Sequence, residues 1–211
     1  MKNKLFLFVF SGFLLSGLSN CFAQDEIRLL DGNTFKGKVT LVNDTVIEYE
    51  VETPKKIKFE AVDSKTVFSI LYSNNKEELI YKPDTSKEGE LSAEEMRFFI
   101  QGLRGANANY KTTGTIITGA ALGAASVLFF PFSYLYPAVG TPLLYTGGHL
   151  VTFSKLKEKN ILLDPQMAEN DKYVLGYKEG ARKKRVANAF KSSIGGAVLG
   201  IITFIIFSPK L

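Results

Sequence analysis

The chain has 211 residues with 26 Lys/Arg against 21 Asp/Glu, a single His and a single Cys; an internal disulfide is excluded, and a zinc site built on thiolate and imidazole lacks a ligand set. Charge is split by position: residues 24–90 carry 10 Lys/Arg against 14 Asp/Glu, net −4, and residues 91–211 carry 14 against 7, net +7. The basic excess therefore belongs to the apolar C-terminal half, and a nucleic-acid footprint on the acidic N-terminal half is not expected.

Residues 1–23 read as an export signal. Lys2 and Lys4 form a positive start, Leu5 to Leu18 an apolar core, and Cys21 and Ala23 put small side chains where a signal peptidase reads. The apolar core is short for a retained anchor. A lipidated Cys21 is disfavoured by Asn20, because that position normally carries a small residue. Cleavage after Ala23 leaves Gln24 first and a mature chain without cysteine.

From Glu26 to Lys82, the runs EIRLL, TFKGKVTLV, TVIEYEVE, KIKFE, TVFSILY and ELIYK alternate apolar and polar residues, which is strand periodicity. Asp31-Gly32-Asn33 and Asn43-Asp44 have tight-turn chemistry. Val39, Leu41, Val46, Ile47, Tyr49, Val51, Ile57, Phe59, Val67, Ile70 and Tyr72 are the candidate core. A sheet this small hides enough apolar area only by curling onto itself, so residues 24–84 are expected to form a small bent antiparallel β-barrel. The run LLDGNTFKGKVTLVNDTVIEY resembles the first motif of Sm-like proteins, with Asp31, Gly32, Phe35, Gly37, Lys38 and Val39 matching in order. The resemblance implies an SH3-like or Sm-like barrel in which Gly37 lets the second strand bend. The second Sm motif, an apolar strand ending in Arg-Gly, is missing from SILYSNN, so RNA-binding residues are not carried over and a generic bent barrel is preferred.

Residues 85–111 are expected to hold a linker and an amphipathic helix. Ser92-Ala93-Glu94-Glu95 has the pattern of a capping box, and Met96, Phe99, Leu103, Ala106 and Tyr110 follow as an apolar stripe that leads directly into the next segment. This stripe is expected to rest on the β-domain or on lipid rather than on a partner helix.

Residues 112–154 hold a first membrane span, Thr112 to Phe130, and a second apolar stretch broken by Pro131, Pro137, Gly140, Pro142, Gly147 and Gly148. The breakers predict a re-entrant or interfacial segment rather than a regular helix. Residues 155–191 are basic, with 10 Lys/Arg against 5 Asp/Glu, and Asn170-Asp171 is placed to cap a helix running into the last segment. Residues 192–211 hold a last span, Ser192 to Phe207. Gly119 with Gly123 and Gly196 with Gly200 are glycine pairs at helical spacing, suited to close helix packing, and Gly176 with Gly180 add another. NYKTT before GAALG and AFKSS before GAVLG read as a short repeat. With a non-crossing middle stretch, the basic segment lies in the cytosol and the β-domain outside; with a crossing one, the glycine-paired spans run in the same direction. The non-crossing form is preferred. Arg182, Lys183, Lys184 and Arg185 are read as a lipid-head or topology signal, of the kind common beside spans.

The whole pattern resembles uncharacterised bacterial envelope proteins that pair a β-rich N-terminal segment with glycine-rich membrane helices, with Tyr173, Gly176, Tyr177 and the following basic run as the shared residues. The resemblance supplies architecture and no activity. No nucleophile with a base, no paired carboxylates and no phosphate-cradling loop occur at useful spacing, and His149 reads as structural or interfacial, so an enzyme is not expected. No cofactor is expected; an oxygen-ligand cation site among the carboxylates stays open. The expected fold class is α+β, and the expected role is a membrane-anchored, exported binding or structural module of the envelope, its partners being membrane lipid and either an envelope protein or further copies of itself. In the alternative, the helices carry the function through lipid contact.

Overall fold

The computed structural model describes residues 24–54, 56–84, 86, 89–129, 135–151 and 165–207. The export signal with Cys21, the start of the Pro/Gly-broken stretch and the Lys155–Lys159 cluster lie outside the described residues. The chain divides into two compact units, with the boundary between Tyr81 and Lys82, and its class is α+β.

The first unit is a six-stranded antiparallel sheet: β1 (Asp25–Leu29), β2 (Thr34–Val42), β3 (Val46–Thr53), β4 (Lys56–Asp63), β5 (Val67–Leu71) and β6 (Glu77–Leu79), ordered β4-β3-β2-β1-β5-β6. No pairing joins β4 to β6 among the described residues, so the sheet is open. Strand β2 serves two neighbours: Thr34 to Gly37 pair with β1, and Lys38 to Val42 pair with β3. Gly37 sits at that change of partner, where a Cβ would lie 2.6 Å from the Glu50 carbonyl oxygen and 2.9 Å from the Tyr49 ring. Only glycine lets β2 and β3 approach this closely.

Ile27, Leu29, Ile47, Tyr49, Val67 and Ile70 form the buried cluster. Ile47, Tyr49, Val67 and Ile70 are as expected, with Val39, Val51 and Tyr72 packed at its edge. Leu41, Ile57 and Phe59 are exposed instead. The cause is in the pairing: Ile57 and Phe59 lie opposite Glu52 and Glu50, on the face of β3 that points away from the core, and a register shift between Val39 and Leu41 turns Leu41 to that side as well. Asp25 is buried yet satisfied, its carboxylate accepting from Val39 N at 2.9 Å and Ser73 N at 2.8 Å.

Two tyrosines, Tyr49 buried and Tyr72 half-buried, carry a pH signature. The hydroxyl of Tyr49 donates to Glu60 at 3.1 Å and that of Tyr72 to Glu78 at 2.7 Å. Burial, and then the adjacent carboxylate, push both phenols up to about 12 from the ordinary value of 10.0. A raised value in the folded state favours the protonated form, so this stabilisation is complete below pH 10 and is lost between pH 10 and 12, as the unfolded chain ionises first. In an alkaline titration, Tyr49→Phe and Tyr72→Phe should each remove part of the phenolate absorbance that appears together with unfolding near the top of that window.

The second unit is helical: α1 (Ala93–Asn109), α2 (Thr113–Phe129), α3 (Leu135–Val151), the short α4 (Pro165–Ala168) and α5 (Asp171–Phe207). The capping box is present, with Glu95 N donating to Ser92 Oγ at 3.3 Å and Ser92 N donating to Glu95 Oε2 at 2.9 Å. That amide, together with Lys172 Nζ at 3.2 Å, holds the Glu95 carboxyl below the usual range. Asn170 caps α5 as expected, its Oδ1 accepting from Lys172 N and Tyr173 N. From that cap, α5 runs 37 residues without interruption, about 55 Å, well beyond the roughly 30 Å of a bilayer core.

Two expectations about this half are corrected. The stripe of α1 packs on a partner helix, α5: Phe99 lies against Gly176, Leu103 and Ala106 lie against Gly180, and Leu103 and Ala106 are buried. Between α1 and α2 the helix stops at Asn109 and restarts at Thr113, close to the expected boundary at residues 111 and 112. The Pro/Gly-rich stretch forms a 17-residue helix with Pro142 inside it. Pro137 falls in the first turn of α3, where no backbone donor is required, so only Pro142 removes an intrahelical hydrogen bond.

Candidate functional site

The glycine pairs mark a continuous seam along α5. In its first half, a Cβ on Gly176 would collide with the Phe99 carbonyl of α1, and one on Gly180 would lie 2.9 Å from Ala106 Cβ and 3.0 Å from the Leu103 carbonyl. Gly102 answers from α1, its missing side chain admitting the backbone of Tyr173 and Tyr177. In the second half, Gly196 meets the Ala120 carbonyl and Gly200 lies against Ala124, while Gly119 and Gly123 of α2 take Ser192 and the Ser193 carbonyl. Each helix therefore notches the other, and backbone approaches backbone as in small-residue helix packing.

The direction of the seam follows from its contacts. Phe99 meets Gly176, Leu103 meets Gly180, Asn107 meets Lys184, Thr112 meets Asn188, Ala120 meets Gly196 and Ala124 meets Gly200, so the partner numbers rise together. Both α1 and α2 thus run parallel to α5. Two polar contacts hold the break between α1 and α2 against α5. Lys184 Nζ donates to the Asn107 carbonyl at 2.6 Å, satisfying an acceptor left open at the end of α1. Asn188 Nδ2 donates to the buried Thr112 Oγ1 at 2.6 Å, just where α2 begins.

Helix α3 completes this unit. Tyr145 OH donates to the Thr115 carbonyl at 2.9 Å, and the Tyr145 ring lies 3.0 Å from the Cβ position of Gly119. Tyr145 lies late in α3 and contacts the start of α2, so α3 returns antiparallel to α2. His149 meets Tyr145 edge to face at 4.6 Å between ring centroids. Among the described residues neither of its ring nitrogens has a hydrogen-bond partner, so it forms no acid–base pair with a carboxylate.

The four basic residues differ in their contacts. Lys184 caps α1, Arg182 pairs with Glu179 at 3.0 Å, and Lys183 reaches the same carboxylate at 3.8 Å. Arg182 and Lys183 remain exposed, whereas Lys184 and Arg185 are half-buried. The seam also uses residues that the glycine pairs alone did not point to: Gly102, Thr112, Asn188, Ser192 and Ser193. For Gly102 a signal existed, since it lies with Phe99, Leu103 and Ala106 at i, i+3, i+4 and i+7 on one face.

In the β-unit a groove of about 370 Å³ opens beside Asp25, Lys38, Glu50, Glu52 and Tyr72. Among the described residues no three His, Cys, Asp or Glu side chains are arranged to hold a metal ion. The chain matches no protein-family model, no curated protein and no solved structure, so the reading of function rests on its own geometry.

Proposed function

We propose that this chain is a membrane-anchored, exported module of the bacterial envelope, in which α2, α3 and the second half of α5 form a three-pass anchor and the β-unit is the part offered to a partner. One observation carries the reading: the helical unit is inside-out along the anchor. Its closest contacts are made by Gly, Ala, Ser and Thr, with Val127 and Tyr145 beside them, while Ile117, Leu144, Leu199, Ile205, Ile206 and Phe207 point outward, Leu144 with 80% of its surface exposed. In water that distribution leaves a large apolar surface uncovered, whereas in hydrocarbon large residues outside and small ones between helices are what packing favours. By length and composition α5 is able to cross a bilayer.

The exported placement rests on the signal-like residues 1–23. For the β-unit, the antiparallel order β4-β3-β2-β1-β5, the 3-10 turn Ser64–Thr66 between β4 and β5, and the division of β2 at Gly37 favour an SH3-like or Sm-like barrel. The glycine pairs pack within the chain, which favours an anchoring role for the helices over assembly through GxxxG contacts. An alkaline wash of membranes should leave the processed chain in the pellet and detergent should release it. Release by the wash alone, as a detergent-free monomer, refutes the anchor.

A further inference from the structure

Strand β4 is an open edge with an unusual surface. It pairs with β3 over all eight residues without a register shift, and its other side has no strand partner among the described residues. Ser64 N donates to the Thr45 carbonyl at 3.1 Å, one step beyond the Val46–Asp63 pair. Hydrogen bonding alternates along an antiparallel strand, so the even-numbered residues of β4 bond to β3, and Ile57, Phe59 and Ala61 turn their N–H and C=O groups to the free side. On the outward face of this edge the side chains, Ile57, Phe59 and Ala61, are apolar and uncovered, Phe59 with 75% and Ile57 with 55% of their surface exposed. Long, regular, apolar edges are where a further strand adds, and natural sheets usually block them.

The sequence of the strand, Lys56-Ile57-Lys58-Phe59-Glu60-Ala61-Val62-Asp63, selects its own partner. A two-fold axis perpendicular to the sheet pairs β4 antiparallel with itself and keeps each face matched. Centring the axis on Lys58 or Glu60 sets like charges opposite each other, centring it on Ile57 pairs Lys56 with Lys58 twice, and centring it on Ala61 sets Phe59 against Asp63. Centring it on Phe59 alone sets Lys58 against Glu60 on both sides of the axis, Ile57 against Ala61, and the two Phe59 rings together, with the outward-turned N–H and C=O groups meeting at Phe59–Phe59 and Ile57–Ala61.

We propose that β4 is the interface of a symmetric dimer in which β4 of a second copy pairs antiparallel about an axis through Phe59, joining the two sheets edge to edge. The contact is isologous and closes at two copies, which suits two chains anchored in one membrane. The inference does not depend on the number of membrane crossings.

Full-length chains in their own membranes, with Cys21 replaced by Ser, test it by oxidative cross-linking. Phe59→Cys should yield a disulfide-linked species of twice the chain mass, because paired Cα atoms across such a ladder lie within disulfide reach; Lys76→Cys, in the exposed turn before β6, should not. Ile57→Cys and Ala61→Cys should each stay uncross-linked alone and cross-link when the two variants are co-expressed. Lys58→Glu, which sets Glu against Glu60 twice, should abolish the Phe59→Cys product, and adding Glu60→Lys should restore it. The proposal is overturned by no product from Phe59→Cys, by one no stronger than from Lys76→Cys, by one whose mass shows a different partner, or by cross-linking of Ile57→Cys with Ala61→Cys no stronger than either gives alone.

Discussion

Leucine at Gly196 should separate α5 from α2, whereas leucine at the adjacent Gly195 should leave the pair intact. The two positions differ by one residue in the same helix and by nothing in composition. At Gly196 an added Cβ runs into the carbonyl, carbon and Cα of Ala120, while at Gly195 nothing lies within 4 Å. A helix backbone cannot turn aside as a flexible side chain does, so the clash must be relieved by moving α5 away from α2. That movement also takes Gly200 off Ala124 and Ser193 off Gly123, which lie on the same seam. Overpacking of a tight contact destabilises by about 1–3 kcal/mol, and here the upper end or more is expected because the obstruction is main chain. Thermal unfolding of the detergent-solubilised chain should show Gly196→Leu lowered by on the order of 5 °C or more and Gly195→Leu within about 1 °C of the parent. If the helices were held only by their preference for hydrocarbon, both variants would behave alike, since both add the same apolar volume. Equal midpoints for the two would therefore dismiss the seam as the source of cohesion.

What could be read before the fold was seen follows from which interactions are local. The caps at Ser92 and Asn170 were legible because each is decided within four residues, by a side-chain acceptor and the amides that follow it. The glycine pairs are legible as packing surfaces, and GAALG against GAVLG in parallel is one of two arrangements the sequence leaves open, because the choice turns on whether the stretch between them crosses. The stripe of α1 reads as resting on the β-domain or on lipid because its complement on α5 is about 75 residues away in sequence. In the sheet, alternation separates two faces without saying which one is inward. Ile57 and Phe59 alternate like core residues and lie on the outside, while Ile27 and Leu29, in the charged run DEIRL, form part of the core. Proline and glycine overstated the irregularity of α3, since Pro137 sits where a helix needs no donor and only Pro142 interrupts the ladder.

The parallel seam also constrains which segments can share a side of the membrane. If α2 and the second half of α5 both cross the bilayer, they cross in one direction, and the chain must come back between them. Helix α3 provides that return: it starts six residues after α2 ends and brings Tyr145 to Thr115 at the beginning of α2. Three crossings follow, so Lys184, Arg185 and the first half of α5 share a side with α1 and the linker from the β-unit, and the C-terminus emerges opposite. With the β-unit exported as proposed, this arrangement would place the basic segment on the exported side, against the tendency of Lys and Arg to stay in the cytosol. That tendency is a bias on short loops, and the first segment to insert usually dominates it; part of the charge is also engaged, Lys184 on the Asn107 carbonyl and Arg182 and Lys183 on Glu179. Single cysteines introduced at Ser86, Glu169 and Ser208, with Cys21 replaced by Ser, should separate cleanly under a membrane-impermeant maleimide. Ser86→Cys and Glu169→Cys should label together in intact cells opened only at the outer membrane, and Ser208→Cys only after full permeabilisation. Labelling of Ser86→Cys without Glu169→Cys would mean that α3 does not return the chain, and labelling of Glu169→Cys together with Ser208→Cys would mean that α5 does not cross. Either result would break the link between parallel packing and topology, because two helices notched into each other at Ala120–Gly196 and Ala124–Gly200 must reach the same depth in the same sense.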